Sequence, residues 1–195
     1  MIIKCYNENH EHLVFLDIEF NGRDLVQFAG LLFSRIDDET YQLTRSCNQY
    51  VNTKVCYPFM EYTSITNTFL ENNGVSLEDV KAIVFDDFLA NVDLKNVMVI
   101  SHGLKNDRLV LLQNGINLSF RDNIKRYPID GYCTFNNAKN ILERDNRLTA
   151  KDLAIECGYY IHQAHNAFND VWAEVAIFTF LKKVEKQKEL EKCNS

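Results

Sequence analysis

Apolar residues crowd into short runs along this chain, and turn-forming residues separate the runs. Residues 13–20 (LVFLDIEF) are apolar apart from two acids, the pattern of a strand buried on both faces. Asn21-Gly22 follows, a strong hairpin signal, and residues 25–33 (LVQFAGLLF) read as a second strand. Asp37-Asp38-Glu39 marks the next turn, and residues 41–51 read as a third strand. The chain therefore opens as an antiparallel meander.

The period then lengthens. Ser76-Leu77-Glu78-Asp79 has the form of a capping box with Asp in the usual Glu position, and Leu77, Val80, Val84 and Phe88 follow at helical spacing. Residues 96–100 (NVMVI) form a short apolar run, a fourth strand, and Ile129-Asp130 marks a fifth. Helices are predicted over 106–114, stopped by Gly115, over 135–143, from a second capping box at Thr149 to Gly158, and from 166 to 183 or beyond. A meander followed by alternating helix and strand predicts an α/β layered domain with a mixed five-stranded sheet. The charged stretch KKVEKQKELEKCNS reads as a tail over 183–195 that frays, behind a single domain over 1–182.

Composition narrows the class. The 195 residues suggest one domain, and 46% hydrophobic with 25% charged residues is ordinary for a folded globular chain. The six cysteines show no C-x-x-C spacing and read as reduced, mostly buried thiols of an intracellular, cytoplasmic protein. Residues 1–12 hold no apolar signal core, and no apolar run approaches the roughly 18 residues that would cross a membrane. Neither the His10-Glu11-His12 cluster nor the Cys157, His162, His165 grouping has tetrahedral zinc spacing.

The net charge of −6 hides a division. Residues 1–100 carry 7 Lys/Arg against 15 Asp/Glu, residues 101–151 carry 9 against 5, and residues 152–195 carry 5 against 7. The acidic total disfavours a passive nucleic-acid coat, yet permits an enzyme that meets phosphate through cations held by carboxylates. In the basic middle, Lys105, Arg108, Arg121, Lys125 and Arg126 suit a strand track, with Tyr127 and Tyr132 as stacking surfaces. A solvated face explains the same residues equally well.

Asp17 and Glu19 stand two apart in the most apolar strand, so they share a face. Two buried carboxylates lose hydration and repel, so something cationic must compensate. A surface face with Lys or Arg partners is one answer; the apolar neighbours on both sides favour the other, a divalent metal site. Asp170 lies in a stripe with Ala167, Val171, Glu174, Val175 and Phe178, and so faces inward from the start of the last helix. The helix dipole alone would also suit an acid there. His165 is five residues earlier, a rotation that separates it from Asp170 if both are helical; with Asn166 as N-cap, His165 falls in the preceding loop. Asp107 opens a helix on the stripe of Val110 and Leu111.

LDIEFNG (residues 16–22), SHGLKNDRLVL (101–111) and AHNAFND (164–170) together resemble the three Exo motifs of the DEDDh 3′→5′ exonucleases, in order and spacing over roughly residues 13–182. That family includes the proofreading subunit of bacterial DNA polymerase III and Eri-type and KapD-type relatives acting on RNA. The resemblance implies an RNase H-like three-layer α/β/α fold with helices on both faces of the sheet. It implies a metal site of Asp17, Glu19, Asp107 and Asp170, His165 as general base, and two Mg²⁺ or Mn²⁺ ions clamping the scissile phosphate. The expected activity is hydrolysis from the 3′ end of single-stranded DNA or RNA to nucleoside 5′-monophosphates. Phe20-Asn21 stand where relatives often have Thr-Thr or Phe-Thr; by position Phe20 packs on the terminal sugar or base and Asn21 bonds the 3′ end. His102-Gly103 is closer to the Trp-Gly of Eri-type and KapD-type proteins than to the common His-Asn, which tilts the substrate slightly toward RNA. His102, Lys105 and Arg108 complete the expected substrate contacts. A polymerase or another protein is a conceivable partner. Two other readings stay open: a catalytically weak nucleic-acid-binding or polymerase-associated module on the same fold, and an RNase H-like endonuclease or integrase, which gives the H-x-A-x-x-D arrangement no role.

Overall fold

Alternation along the central strands decides the architecture. β2 (His12–Asn21) sends Leu13 and Phe15 to one face of the sheet and Val14, Leu16 and Ile18 to the other. Both faces are buried, so each needs a layer of helices. The computed structural model describes residues 1–6, 8–121, 126–144, 149–161 and 165–193, and of 119–121 and 126–128 the backbone alone.

The sheet has six strands in the order β1 (Ile2–Lys4), β4 (Thr40–Tyr50), β3 (Asp24–Asp37), β2, β5 (Val97–Ser101) and β8 (Asp130–Cys133). The first four pair antiparallel, while β5 joins β2 and β8 in parallel. Helices α5 (Thr134–Ile141), α6 (Ala150–Glu156) and α7 (Ala167–Cys193) cover the Phe15 face. The opposite face packs under α3 (Leu77–Ala82), its π-helical continuation Ile83–Phe88, and α4 (Leu104–Gln113). A third cluster, Val26, Val55, Ile65 and Leu70, seats the short helices α1 (Tyr57–Thr63) and α2 (Asn67–Asn73). A separate hairpin joins β6 (Ser119–Arg121) and β7 (Arg126–Pro128). This is the RNase H-like three-layer α/β/α arrangement.

The turn chemistry acts as the residues dictate. Gly22 takes φ +68° in the two-residue β2–β3 turn, whose ends Asn21 and Asp24 pair. Ser76 and Thr149 cap α3 and α6 by accepting from the N–H groups of Asp79 and Asp152, both at 3.1 Å. Asp is too short to reach back to the cap's own N–H, so each acid accepts the cap hydroxyl instead, at 2.6 and 2.7 Å.

Several expectations are corrected. The sheet holds six strands, not five, because Ile2–Lys4, too short to show a period, pairs with residues 40–42 at the edge. Helices α1 and α2 lie where no element is predicted, and α4 begins two residues earlier than expected. The charged tail does not fray at 183: α7 continues to Cys193. Leu181 is fully buried, Lys182 Nζ lies 3.4 Å from Glu8, and Lys186 reaches Glu39 at 2.8 Å while lying 3.9 Å from the centre of the Tyr6 ring. Partly covered stems and ring contacts do this more than charge, since exposed ion pairs alone are worth little. All six cysteines are free, but only Cys5 and Cys47 are buried. His10 spans Glu8 and Asp130, and His12 bonds Ser34. Among the described residues no helix is long and apolar enough to cross a membrane.

Gly30 sits in central β3, where a Cβ would stand 2.8 Å from the buried Phe88 ring. Gly30→Ala is therefore expected to cost about 1–3 kcal/mol in denaturant unfolding, and adding Phe88→Leu should recover part of it. A Gly30→Ala chain as stable as the parent would contradict this packing.

Candidate active site

Helix α7 runs across β2 so that two periods match. Asp170, Glu174 and Phe178 are one helical turn apart along one stripe; Glu19, Asp17 and Phe15 are two residues apart on one strand face. Four helical residues rise about 6 Å and two strand residues about 6.6 Å, so the stripes stay in step. Phe178 meets Phe15 edge to face, with ring centres 5.4 Å apart, where both stripes are apolar. Further along, both stripes turn acidic. β2 and β5 pair only as far as Phe15 and Ile100, so Asp17 and Glu19 lie beyond the end of the parallel ladder. There the chain turns from β5 into α4 and brings in Asp107. The carboxyl ends of parallel strands are a common place for ligand sites.

Asp107 and Asp170 are held by dedicated polar groups. Asp107 Oδ2 accepts the Ser101 hydroxyl, whose oxygen in turn accepts the Gly103 N–H at 3.2 Å. Asp170 Oδ2 accepts the His165 N–H at 2.9 Å. Asn166 Oδ1 caps α7 through the N–H of Phe168 at 3.1 Å, and the buried Gln27 on β3 accepts the Ala167 N–H at 3.1 Å. Gln27 also donates to Asn48 at 2.8 Å, so the start of α7 is tied to two strands. His165 occupies the loop before the cap, at φ +64°. From there its ring reaches the acids: ligand atoms of Glu19, His165 and Asp170 all lie within 4.8 Å of one another. The Tyr62 ring of α1 lies against the imidazole, with ring centres 3.7 Å apart.

A fifth acid completes the group. Glu174 is buried at 1% exposure and accepts the Thr134 hydroxyl at 2.9 Å and the His102 N–H. Its place one turn after Asp170 puts it on the inward stripe, but it lies outside the three motifs. Tyr62 and Thr134 gave no sequence signal, because neither belongs to a motif.

The electrostatics run one way. Burial, then the neighbouring Asp107, Asp170, Glu19 and Glu174, holds Asp17 far above the ordinary carboxylate range. Burial and the charges of Asp170 and Asp107 push Glu19 up to about 7. Burial raises Asp170 to about 6 despite the N–H groups it accepts. Burial raises Asp107 against the Ser101 bond, and lifts Glu174 to about 8. Burial, then Lys151, lowers His165, which keeps its imidazole neutral near pH 7. Among the described residues no lysine or arginine forms an ion pair with any of the five acids. Hard oxygen donors with uncompensated charge are the donor set that divalent cations such as Mg²⁺ or Mn²⁺ complete.

The rim residues are more scattered. Phe20 is 37% exposed, and Asn21 accepts the Cys56 thiol at 3.1 Å. His102 Nδ1 lies 3.0 Å from Thr134 Oγ1, and Lys105 is exposed on α4. Arg108 is turned to the backbone, donating to the carbonyls of Ile129 and, at 3.2 Å, Asp130. Tyr132 is no stacking surface: it is 8% exposed and packs edge-on to Phe178. Lys125, His162 and Ala164, and the side chains of Arg121, Arg126 and Tyr127, lie outside the described residues.

No family model and no curated protein matches the sequence. Solved structures do match. A 3′-exonuclease that recognises the histone mRNA stem-loop shares 9% identity over 91% of this chain and 84% of its own, at a TM-score of 0.66. Exonuclease X in complex with 5′-overhanging duplex DNA shares 16% over 89% and 93%, at 0.62. E. coli Exonuclease I with an oligonucleotide shares 15% over 91% of this chain and 42% of its own, at 0.67. The nuclease domain of 3′hExo, described as a DEDDh family member bound to rAMP, aligns at 0.63 with 12% identity. The fold is that of the DEDDh 3′→5′ exonucleases. Within the DEDDh fold the acids Asp17, Glu19, Asp107 and Asp170 meet at one end of the sheet, with His165 beside them.

The raised acids fix the sign of a pH test. With folded values above unfolded ones, the native chain binds more protons than the unfolded chain, so stability falls as pH rises. In EDTA the Tm should drop between about pH 5 and pH 8, as Asp170, Glu19 and Glu174 ionise in turn. Mg²⁺ should flatten the slope, and Asp17→Asn should raise the Tm in EDTA at about pH 8 by at least about 2–4 °C, the shift made by about 1 kcal/mol in a chain of this size. A Tm that climbs with pH in EDTA over that range would contradict the electrostatic account.

Proposed function

We propose that this protein is a metal-dependent 3′→5′ exonuclease acting on single-stranded DNA or RNA and releasing nucleoside 5′-monophosphates. The convergence of uncompensated acids with a neutral imidazole beside them carries the reading; the exonuclease fold supports it.

Asp17, Glu19, Asp107 and Asp170 would hold two divalent cations, Mg²⁺ or Mn²⁺. When bound, the cations neutralise the phosphate, acidify a water and stabilise the leaving 3′ oxygen. The chain's residues do the rest. His165, neutral near pH 7, takes the proton of the attacking water at an imidazole nitrogen. Its backbone N–H on Asp170 and the Tyr62 ring against its face limit where the imidazole can point. Ser101 fixes one oxygen of Asp107, leaving the other to face the cluster. Phe20, at the exposed end of β2, offers an apolar surface to a terminal base or sugar, and Asn21 beside it offers an amide. Lys105 supplies positive charge near the phosphates on α4.

The proposal is tested with a 5′-labelled single strand, in DNA and RNA forms, incubated with Mg²⁺ or Mn²⁺. Stepwise shortening from the 3′ end to mononucleotides is expected. Asp17→Asn and excess EDTA should abolish it, and His165→Ala should slow it by about 10²–10⁴-fold. Internal cleavage, or undiminished activity in Asp17→Asn, would overturn the assignment.

A further inference from the structure

The outer face of α5 carries a hollow that the proposed chemistry does not use. It measures about 510 Å³ and is lined by Asn136, Lys139, Asn140 and Arg144. That volume is ordinary for a ligand pocket, but such pockets are mostly apolar, and this lining is amide and cation. It suits an anion with hydrogen-bonding edges.

Neighbouring side chains settle the charge of the hollow. Arg144 is engaged by Glu156 at 2.6 and 2.7 Å, and Glu143 is turned to Lys188 of α7. Lys139 forms no ion pair among the described residues. No carboxylate lines the hollow, although the chain holds 27 acids. One free ammonium between two amides is what remains.

The hollow leads away from the acid cluster. α5 starts at Thr134, whose hydroxyl bonds Glu174 at 2.9 Å. Phe135 follows, half-buried, with its ring edge-on to His102 and centres 5.6 Å apart. One turn on, Lys139 Nζ lies 5.9 Å from the centre of the Phe135 ring. At about 1.5 Å per residue, Lys139 stands about 7–8 Å along the axis from Thr134. An aromatic ring, an ammonium and two amides therefore lie in sequence outward from the acids. Rings and cations set side by side hold a single strand, the rings by stacking its bases and the cations by meeting its phosphates. Arg108 and Tyr132, expected on the strand track, are turned inward, and α5 offers this pairing in their place.

We propose that this face of α5 is a second binding site, for the single strand 5′ of the scissile bond: Lys139 meets a phosphodiester, Phe135 stacks a base, and Asn136 and Asn140 bond sugar or base edges. A phosphate draws the flexible Lys139 stem off the ring and clears that face for the base. The proposal rests on the exonuclease reading, which supplies the direction of the strand.

The test is fluorescence anisotropy of a labelled oligo-dT of about 20 nucleotides, bound to the full chain in EDTA over a series of salt concentrations. Lys139→Ala should weaken binding about three- to tenfold and reduce the salt slope by about 0.7, the loss of one phosphate contact on a single strand. Phe135→Leu, which keeps an apolar side chain against the fold, should weaken binding at least about fivefold with the salt slope unmoved, and Phe135→Tyr should restore it. Lys183→Ala, exposed on α7, should match the wild-type chain. Absence of strand binding by the wild-type chain, an unchanged affinity and slope in Lys139→Ala, or an equal loss in Lys183→Ala overturns the site. Displacement by poly-glutamate as readily as by unlabelled oligonucleotide also overturns it, by marking a surface for acidic chains in general. A wild-type chain that binds the strand through Lys139 yet degrades nothing in Mg²⁺ counts against the exonuclease reading alone; one that degrades the strand while Lys139→Ala binds it unchanged counts against the site alone.

Discussion

Burial of carboxylates, with the repulsion among them, is the constraint around which this end of the molecule is organised. Two unit charges about 5 Å apart repel by about 3–4 kcal/mol at an effective dielectric near 20, and here the charges of four acids bear on the buried Asp17. A fold with stability of order 5–15 kcal/mol carries such a cluster only when protons or cations relieve it. Among the described residues no lysine or arginine forms an ion pair with these acids. Two side chains and one backbone N–H aim the acids: Ser101 on Asp107, Thr134 on Glu174, and the His165 backbone on Asp170. Protons relieve it in the free chain, as the raised Glu19, Asp170 and Glu174 show; under the proposed function bound cations would take their place.

The scaffold serves that placement. β2 is the hinge of the design because its two faces do different work. One face is apolar from Val14 to Ile18 and seats α3 and α4; the other is apolar up to Phe15 and acidic beyond it. The same change from apolar to acidic occurs on α7 between Phe178 and Glu174. Commensurate spacing of helix and strand brings the two changes together. Gln27 and Asn166 then fix where α7 begins, so that Asp170 stays opposite Glu19.

Much of this was legible in the residues. The meander followed from apolar runs punctuated by Asn21-Gly22 and Asp37-Asp38-Glu39, and the caps at Ser76 and Thr149 were readable as local chemistry. Asp17 and Glu19 stood out because acids in an apolar strand break a pattern. The misses have physical reasons. β1 is three residues long, and α1 and α2 are held by contacts with Val26 and Val55, not by a period of their own. The tail looks like a solvated run in sequence, but its lysines lie over Tyr6 and beside Glu8 and Glu39, partners far away in the chain. Glu174 sat on the predicted stripe, but its partner Thr134 reaches it through the β5–β8 pairing, which no local pattern shows. Tyr132 read as a surface ring and is core, since periodicity over a four-residue strand is too short to assign a face.

The most direct measurement of the central claim is calorimetric titration of the wild-type chain with Mn²⁺ at about pH 7, in two buffers of different ionisation heat. Acids raised by burial and by one another must surrender protons when a cation binds, so the account predicts saturable binding coupled to proton release. The release should fall in Asp17→Asn. Absence of binding, or binding that releases no protons, would contradict it.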